Sequence, residues 1–106
     1  MSDRFMRIMV FFDLPVVTNS EKRIYREFRS FLMKSGFAMM QNSVYSKILL
    51  NASTLNTMKD TIRRHTPKKG CVCMMCVTEK QFASIDYLIG QKKSDVIDSE
   101  DRVVEI

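Results

Sequence analysis

An α+β sandwich with the element order β-α-β-β-α-β is what the 106-residue sequence predicts, and three observations carry that expectation. Runs of Ile, Val, Phe, Met and Cys at 7–13 and 71–77 read as strands. Two segments with apolar residues at helical spacing, 18–36 and 51–66, alternate with them, and an extended stretch between the helices has room for two short strands. Strand, helix, two strands, helix, strand is the split β-α-β arrangement of a ferredoxin-like fold, with two helices on one face of an antiparallel sheet. Composition agrees with a single domain over 1–106, its core at 7–90. Apolar residues make up 45% and charged residues 27%, and a chain this size buries roughly 65% of its unfolded surface.

Taken in order, Arg7 to Asp13 forms the first strand, rich in Ile, Val and Phe and stopped by Leu14-Pro15. Thr18-Asn19-Ser20-Glu21 has the spacing of a capping box, in which a hydroxyl and a carboxylate satisfy the free amides of a helix start. From there Ile24, Phe28, Phe31 and Leu32 recur at helical spacing until Gly36, which suits a left-handed stop. Phe37 to Leu50 is extended, as two short strands or one bent one. Asn51 to Thr66 is a second helix with Leu55, Met58 and Ile62 on one face and Pro67 closing it. Gly70 opens a strand from Cys71 to Val77, and Glu79 to Ser84 is a short helical turn. Ile85 to Ile89 reads as a further strand, and Arg102 to Ile106 as an additional tail strand.

The strands are apolar on both faces. Ile8, Val10 and Phe12 point one way, Met9 and Phe11 the other, and Cys71 to Val77 behaves alike. Two helices cover only one face, and an antiparallel sheet with a solvated face alternates apolar with polar residues. The second face is therefore expected to meet another copy of the chain or another protein, and a homodimer is the expectation.

Charge is unevenly placed. Residues 1–82 carry 14 Lys and Arg against six Asp and Glu, a net +8, whereas 83–106 carry three against six, a net −3. A basic body favours a polyanionic partner. On a helical wheel Lys22, Arg26 and Arg29 fall within about 60° of one another, roughly opposite the apolar stripe. Lys59 and Arg63 form an i, i+4 pair, and Lys68-Lys69 follow in the next loop. Any one cluster reads as a solvated helix face; together, with little interleaved acid, they point to phosphate binding by Lys22, Arg26, Arg29, Lys59, Arg63, Lys68 and Lys69. Nothing resembles a base-reading aromatic platform, so backbone contact with little sequence preference is expected.

Other chemistries are set aside. The three glycines sit at element ends and form no phosphate loop. The single His65 reads as a helix C-terminal residue favoured by the dipole. Cys71, Cys73 and Cys76 are too few and too close for a disulfide framework. On a strand Cys76 faces away from the other two, so core packing is expected rather than a zinc site. Met33, Met39, Met40, Met58, Met74 and Met75 are expected to fill the core. No run is long enough to cross a bilayer and no signal-peptide pattern is present, so a cytoplasmic, reduced protein is expected. Asp13, directly after five apolar residues, is the one acid in a setting that invites chemistry. It is either a turn residue accepting loop hydrogen bonds or a cation ligand. One carboxylate per chain is a thin Mg²⁺ site, although two copies of Asp13 across a dimer axis would share a cation.

Phe11-Phe12-Asp13-Leu14-Pro15, the helix with Arg26 and Arg29, Gly36-Phe37 and Gln41-Asn42-Ser43-Val44-Tyr45 together resemble CRISPR-associated protein 2, as do Thr78-Glu79-Lys80-Gln81-Phe82 and the tail. The resemblance extends over essentially the whole chain and is closest to the type II-A branch. It implies a homodimer that bridges two dimers of the integrase, CRISPR-associated protein 1, and helps hold double-stranded DNA for insertion into the CRISPR array. It also implies a second activity: family members are described as Mg²⁺-dependent endonucleases on single-stranded RNA or double-stranded DNA, with the aspartate that falls on Asp13 as catalytic metal ligand. In other members that aspartate is dispensable. Phe12 stands where many relatives have Tyr, which implies loss of a hydroxyl near this site.

The leading expectation is thus a non-catalytic, duplex-DNA-binding scaffold, with Arg102, Val103, Val104, Glu105 and Ile106 adding a strand to the other protomer or the integrase. The alternatives are a metal-dependent endonuclease, and a small RNA-cleaving toxin or RNA-binding module on the same fold.

Overall fold

A computed structural model describes residues 5–90. The order is β1 (Met6–Asp13), α1 (Asn19–Lys34), β2 (Ala38–Gln41), β3 (Val44–Leu49), α2 (Ala52–His65), β4 (Cys71–Thr78) and α3 (Glu79–Ala83). The sheet has strand order β2-β3-β1-β4 and is antiparallel throughout. β1 and β2 lie in one sheet with β3 between them, which is the split β-α-β arrangement expected. The additional strand expected at Arg102–Ile106 lies outside the described residues.

Local signals act as the sequence predicts. Thr18 caps α1 by accepting from the Glu21 amide at 3.0 Å, and the Glu21 carboxylate returns to the Thr18 amide at 3.0 Å. Asn51 caps α2 by accepting from the Thr54 amide at 2.9 Å. The extended stretch resolves into two strands joined at Asn42-Ser43. Ser43 takes a left-handed φ of 67°, and the register shifts between Met39 and Gln41. This bulged hairpin brings the Ser43 carbonyl to the end of β1, where it accepts from the Phe12 amide at 3.0 Å.

One face of the sheet meets the helices. Ile8, Val10, Phe12 and Leu14 from the β1 segment pack with Tyr45 and Leu49 of β3, Phe28 and Leu32 of α1, and Ile62 of α2. Phe12 is central: its ring is stacked 5.7 Å from Tyr45, edge-on to Phe28 at 5.2 Å and tilted 5.9 Å from Tyr25. The opposite face carries Met9, Phe11, Val44, Ile48, Cys73 and Met75, with Ile48 and Met75 exposed. No described helix covers that apolar surface apart from its Arg7 end.

Four expectations need correction. Ile85 to Ile89 is not a strand: it follows α3 without a ladder partner, and Leu88 and Ile89 are 92% and 91% exposed. A strand requires a neighbour for its amides and carbonyls, and none is supplied within the described chain. Cys71 and Cys73 are exposed, because β4 alternates and both point to the open face; only Cys76 packs against the core. Met33 and Met75 are likewise exposed, while Met39, Met58 and Met74 do pack against the core. Phe12 belongs to the core face, so its ring lies on the side of the sheet opposite the Asp13 side chain rather than beside it.

Candidate nucleic-acid and metal site

Asp13 is the last residue of β1 and is exposed on the open face, directly opposite Cys71 in the ladder. The neighbouring pair on that face is Phe11 and Cys73. What holds the two strands so close here is Gly70. Its φ is +92°, and a Cβ built on it would stand 2.7 Å from the Asp13 carbonyl oxygen and 2.9 Å from a Leu14 methyl. Only glycine allows β4 to begin against the end of β1 in this way. The sequence marked Gly70 as a strand opener but gave no sign of that contact, which is between residues far apart in the chain.

The donors around Asp13 do not make a resident magnesium site within one chain. Mg²⁺ takes six oxygens, including one or two carboxylates, and thiols are too soft to serve it. Among the described residues no three His, Cys, Asp or Glu side chains converge on a point. A second carboxylate would have to come from another molecule.

The basic residues separate into three groups. Lys22, Arg26 and Arg29 lie exposed on α1, and among the described residues none has a carboxylate within 4.0 Å. On α2, Lys59 is half-buried, and Arg63 is engaged by Asp60 at 2.9 Å, so this pair offers less free charge than its spacing suggested. Lys68 and Lys69 are exposed in the α2–β4 loop, alongside the start of α1. There the Glu21 carboxyl is held below its usual range, first by the Thr18 amide, then by the Val17 amide, with the Lys69 charge adding to both. Glu21 Oε1 accepts from both amides at 3.0 Å. Between α1 and the segment after α2 runs a groove of about 710 Å³, walled by Leu14, Pro15, Ile24, Phe31 and Pro67.

A further constellation was not legible beforehand. Arg7 faces the open side, where its guanidinium grips the Glu79 carboxylate of α3 at 2.9 and 3.3 Å and lies 4.0 Å above the Phe82 ring. A second capping box, Thr78 with Gln81, starts α3. The Thr78–Phe82 segment thus forms a clasp that pins α3 across the Arg7 end of the open face.

Comparison with known proteins gives this geometry a family. The model for CRISPR associated protein Cas2 matches residues 6–85. A CRISPR-associated endoribonuclease Cas2 of Treponema denticola is 42% identical, the alignment covering 93% of this chain and 98% of the relative. A protein of the same name from Streptococcus mutans is 44% identical over 93% and 91%, and one from Lacticaseibacillus rhamnosus is 40% identical over 95% and 100%. A solved structure titled "Crystal structure of cas2" superposes with a TM-score of 0.57 over 85% of this chain and 92% of its own, at 20% identity, which bears on the fold. With the sheet order, the Asp13 strand end and the Gln41–Tyr45 hairpin all in hand, the matches are conclusive: this chain belongs to the Cas2 family of CRISPR-associated proteins.

Proposed function

We propose that the protein serves CRISPR spacer acquisition in the cytoplasm as a non-catalytic, duplex-DNA-binding homodimer that bridges two dimers of the integrase, CRISPR-associated protein 1. The observation that carries this reading is the flank of α1, where Lys22, Arg26 and Arg29 stand exposed with no described carboxylate within 4.0 Å. Such a row neutralises successive phosphates without reading bases. The apolar open face supports the homodimer, since a second copy would bury Phe11, Ile48, Cys73 and Met75 and offer Ile85–Ile89 the ladder partner it lacks.

The test is duplex binding across a salt series. Charge reversal at Arg26 and Arg29 should lower affinity and reduce the slope of log K against log salt by about 2, one unit for each lost phosphate contact. An unchanged slope removes both residues from the interface and the reading with them.

A second reading is favoured by the exposure of Asp13 on the same open face and by the name the relatives carry, endoribonuclease. Two copies meeting through that face would bring two Asp13 carboxylates towards one axis, the number a shared Mg²⁺ uses. Single-stranded RNA and duplex DNA, each with Mg²⁺ or EDTA, decide between the readings. Cleavage that requires both Mg²⁺ and Asp13, and is lost in Asp13→Ala, establishes the enzyme. Binding without cleavage, unaffected by the substitution, leaves the scaffold.

A further inference from the structure

The groove beside α1 has features that backbone binding does not use. At its rim the His65 ring lies parallel to Phe31, 4.1 Å between centroids and 9° between planes. Its Nδ1–H donates to the Thr61 carbonyl at 2.8 Å, so the imidazole is fixed by two contacts while the residue remains exposed. Phe31, Ile24 and Pro67 continue the apolar wall. A groove of about 710 Å³ is in the range of small-molecule and nucleotide sites.

Charge decides what kind of occupant suits it. Four charged side chains other than His65 line the groove: Glu21, Glu27, Lys68 and Lys69. Both carboxylates are already engaged, Glu21 by the Val17 and Thr18 amides and Glu27 by Arg23 at 3.7 Å. The four formal charges balance, and the Glu21 carboxylate stays ionised on its amides; what the groove offers a phosphate is the ammonium groups of Lys68 and Lys69, which have no described carboxylate within 4.0 Å. A flat aromatic surface beside cations is how proteins hold unpaired nucleotides: bases stack, phosphates meet the cations. Leu14 and Pro15, which follow Asp13 in the chain, wall the groove on the helix side, while the Asp13 side chain lies on the opposite, open face of the sheet.

We infer that this groove takes an unpaired nucleobase of a single-stranded nucleic-acid segment, stacked beside the His65–Phe31 pair with its phosphates on Lys68 and Lys69. The inference rests on the nucleic-acid-binding reading above and adds a single-strand subsite to it, on the opposite flank of α1 from Lys22, Arg26 and Arg29.

The experiment uses the full chain and three probes: a blunt DNA duplex, the same duplex with a single-stranded extension, and a short single-stranded RNA, the last two carrying 2-aminopurine in the unpaired part. The extended duplex should bind about tenfold more tightly than the blunt one, within the range of base–aromatic stacking, and the fluorophore should be quenched. His65→Ala should abolish the tenfold increment and the quenching while leaving blunt-duplex affinity unchanged. His65→Phe should retain both, and Lys68→Gln with Lys69→Gln should weaken the unpaired probes by a larger factor than the blunt duplex. A blunt duplex bound as tightly as the extended one, or quenching that survives His65→Ala, overturns this subsite and leaves the duplex-binding reading intact. Failure to bind any probe overturns both.

Discussion

Gly70→Ala is the sharpest test of how the Asp13 end of the sheet is built, because the three glycines form an internal series with nearly equal backbone angles. Gly36, Gly70 and Gly90 have φ of +94°, +92° and +94°. The left-handed region costs a residue with a Cβ about 1–2 kcal/mol. What differs is the space. At Gly36 the added carbon meets only the Lys47 ammonium and its flexible stem, which can swing aside. At Gly90 it meets nothing within 4 Å. At Gly70 it would stand 2.7 Å from the Asp13 carbonyl oxygen and 3.2 Å from the Leu14 Cα, and both are backbone. Backbone displacement of this kind costs about 1–3 kcal/mol more, as in overpacked cores. Gly70→Ala should therefore destabilise by about 2–5 kcal/mol and Gly36→Ala by about 1–2. At about 4–8 °C per kcal/mol for a domain near this size, the melting temperature should fall by about 8–40 °C for the former and about 4–16 °C for the latter. Thermal unfolding at one fixed protein concentration measures this, so that any self-association contributes equally to all variants. Equal losses at Gly70 and Gly36 would refute the close strand approach, and with it the account of how Asp13 is positioned.

Two further outcomes follow from the α1 cap and the α3 clasp. Glu21 is held below its ordinary value of 4.5 by the Thr18 and Val17 amides, so the stability it contributes is complete above that value and is lost as pH falls through the lower, folded one. Glu21→Gln should flatten the pH dependence of stability below about pH 4.5, and a slope identical to the parent would remove the carboxylate from the cap. Glu79→Gln leaves the half-buried Arg7 guanidinium without its counter-charge and should cost about 1–2 kcal/mol in urea unfolding, with faster hydrogen exchange across 79–84. Unchanged exchange there would mean that Phe82 alone holds α3.

The elements were legible because their signals are local. Thr18 with Glu21 before α1, and Gly36 and Pro67 after the helices, each act within one helical turn, and the structure honours all of them. Ile85–Ile89 was not legible for the opposite reason: its composition suits a strand, but a strand exists only where a second strand completes its hydrogen bonds, and residue type says nothing about that supply. The cysteines misled in a similar way. Their alternation on β4 was correct, yet which face would meet the helices depends on the register with β1, where Cys71 stands opposite Asp13 and Cys73 opposite Phe11.

The sequence by itself determined the β-α-β-β-α-β order, the basic flank of α1, the prominence of Asp13 and a sheet with two apolar faces, since each of these is a pattern of neighbours in the chain. Tertiary structure alone decided that Gly70 seats Asp13, that Arg7 clasps Glu79 and Phe82, that His65 lies on Phe31, and that Arg63 is partly spent on Asp60. Except for the last, these are contacts across 34 to 75 positions of sequence, and even Arg63–Asp60 depends on rotamer choice. Periodicity fixes which face of an element a residue occupies, whereas the partner that face meets is set by how the elements pack.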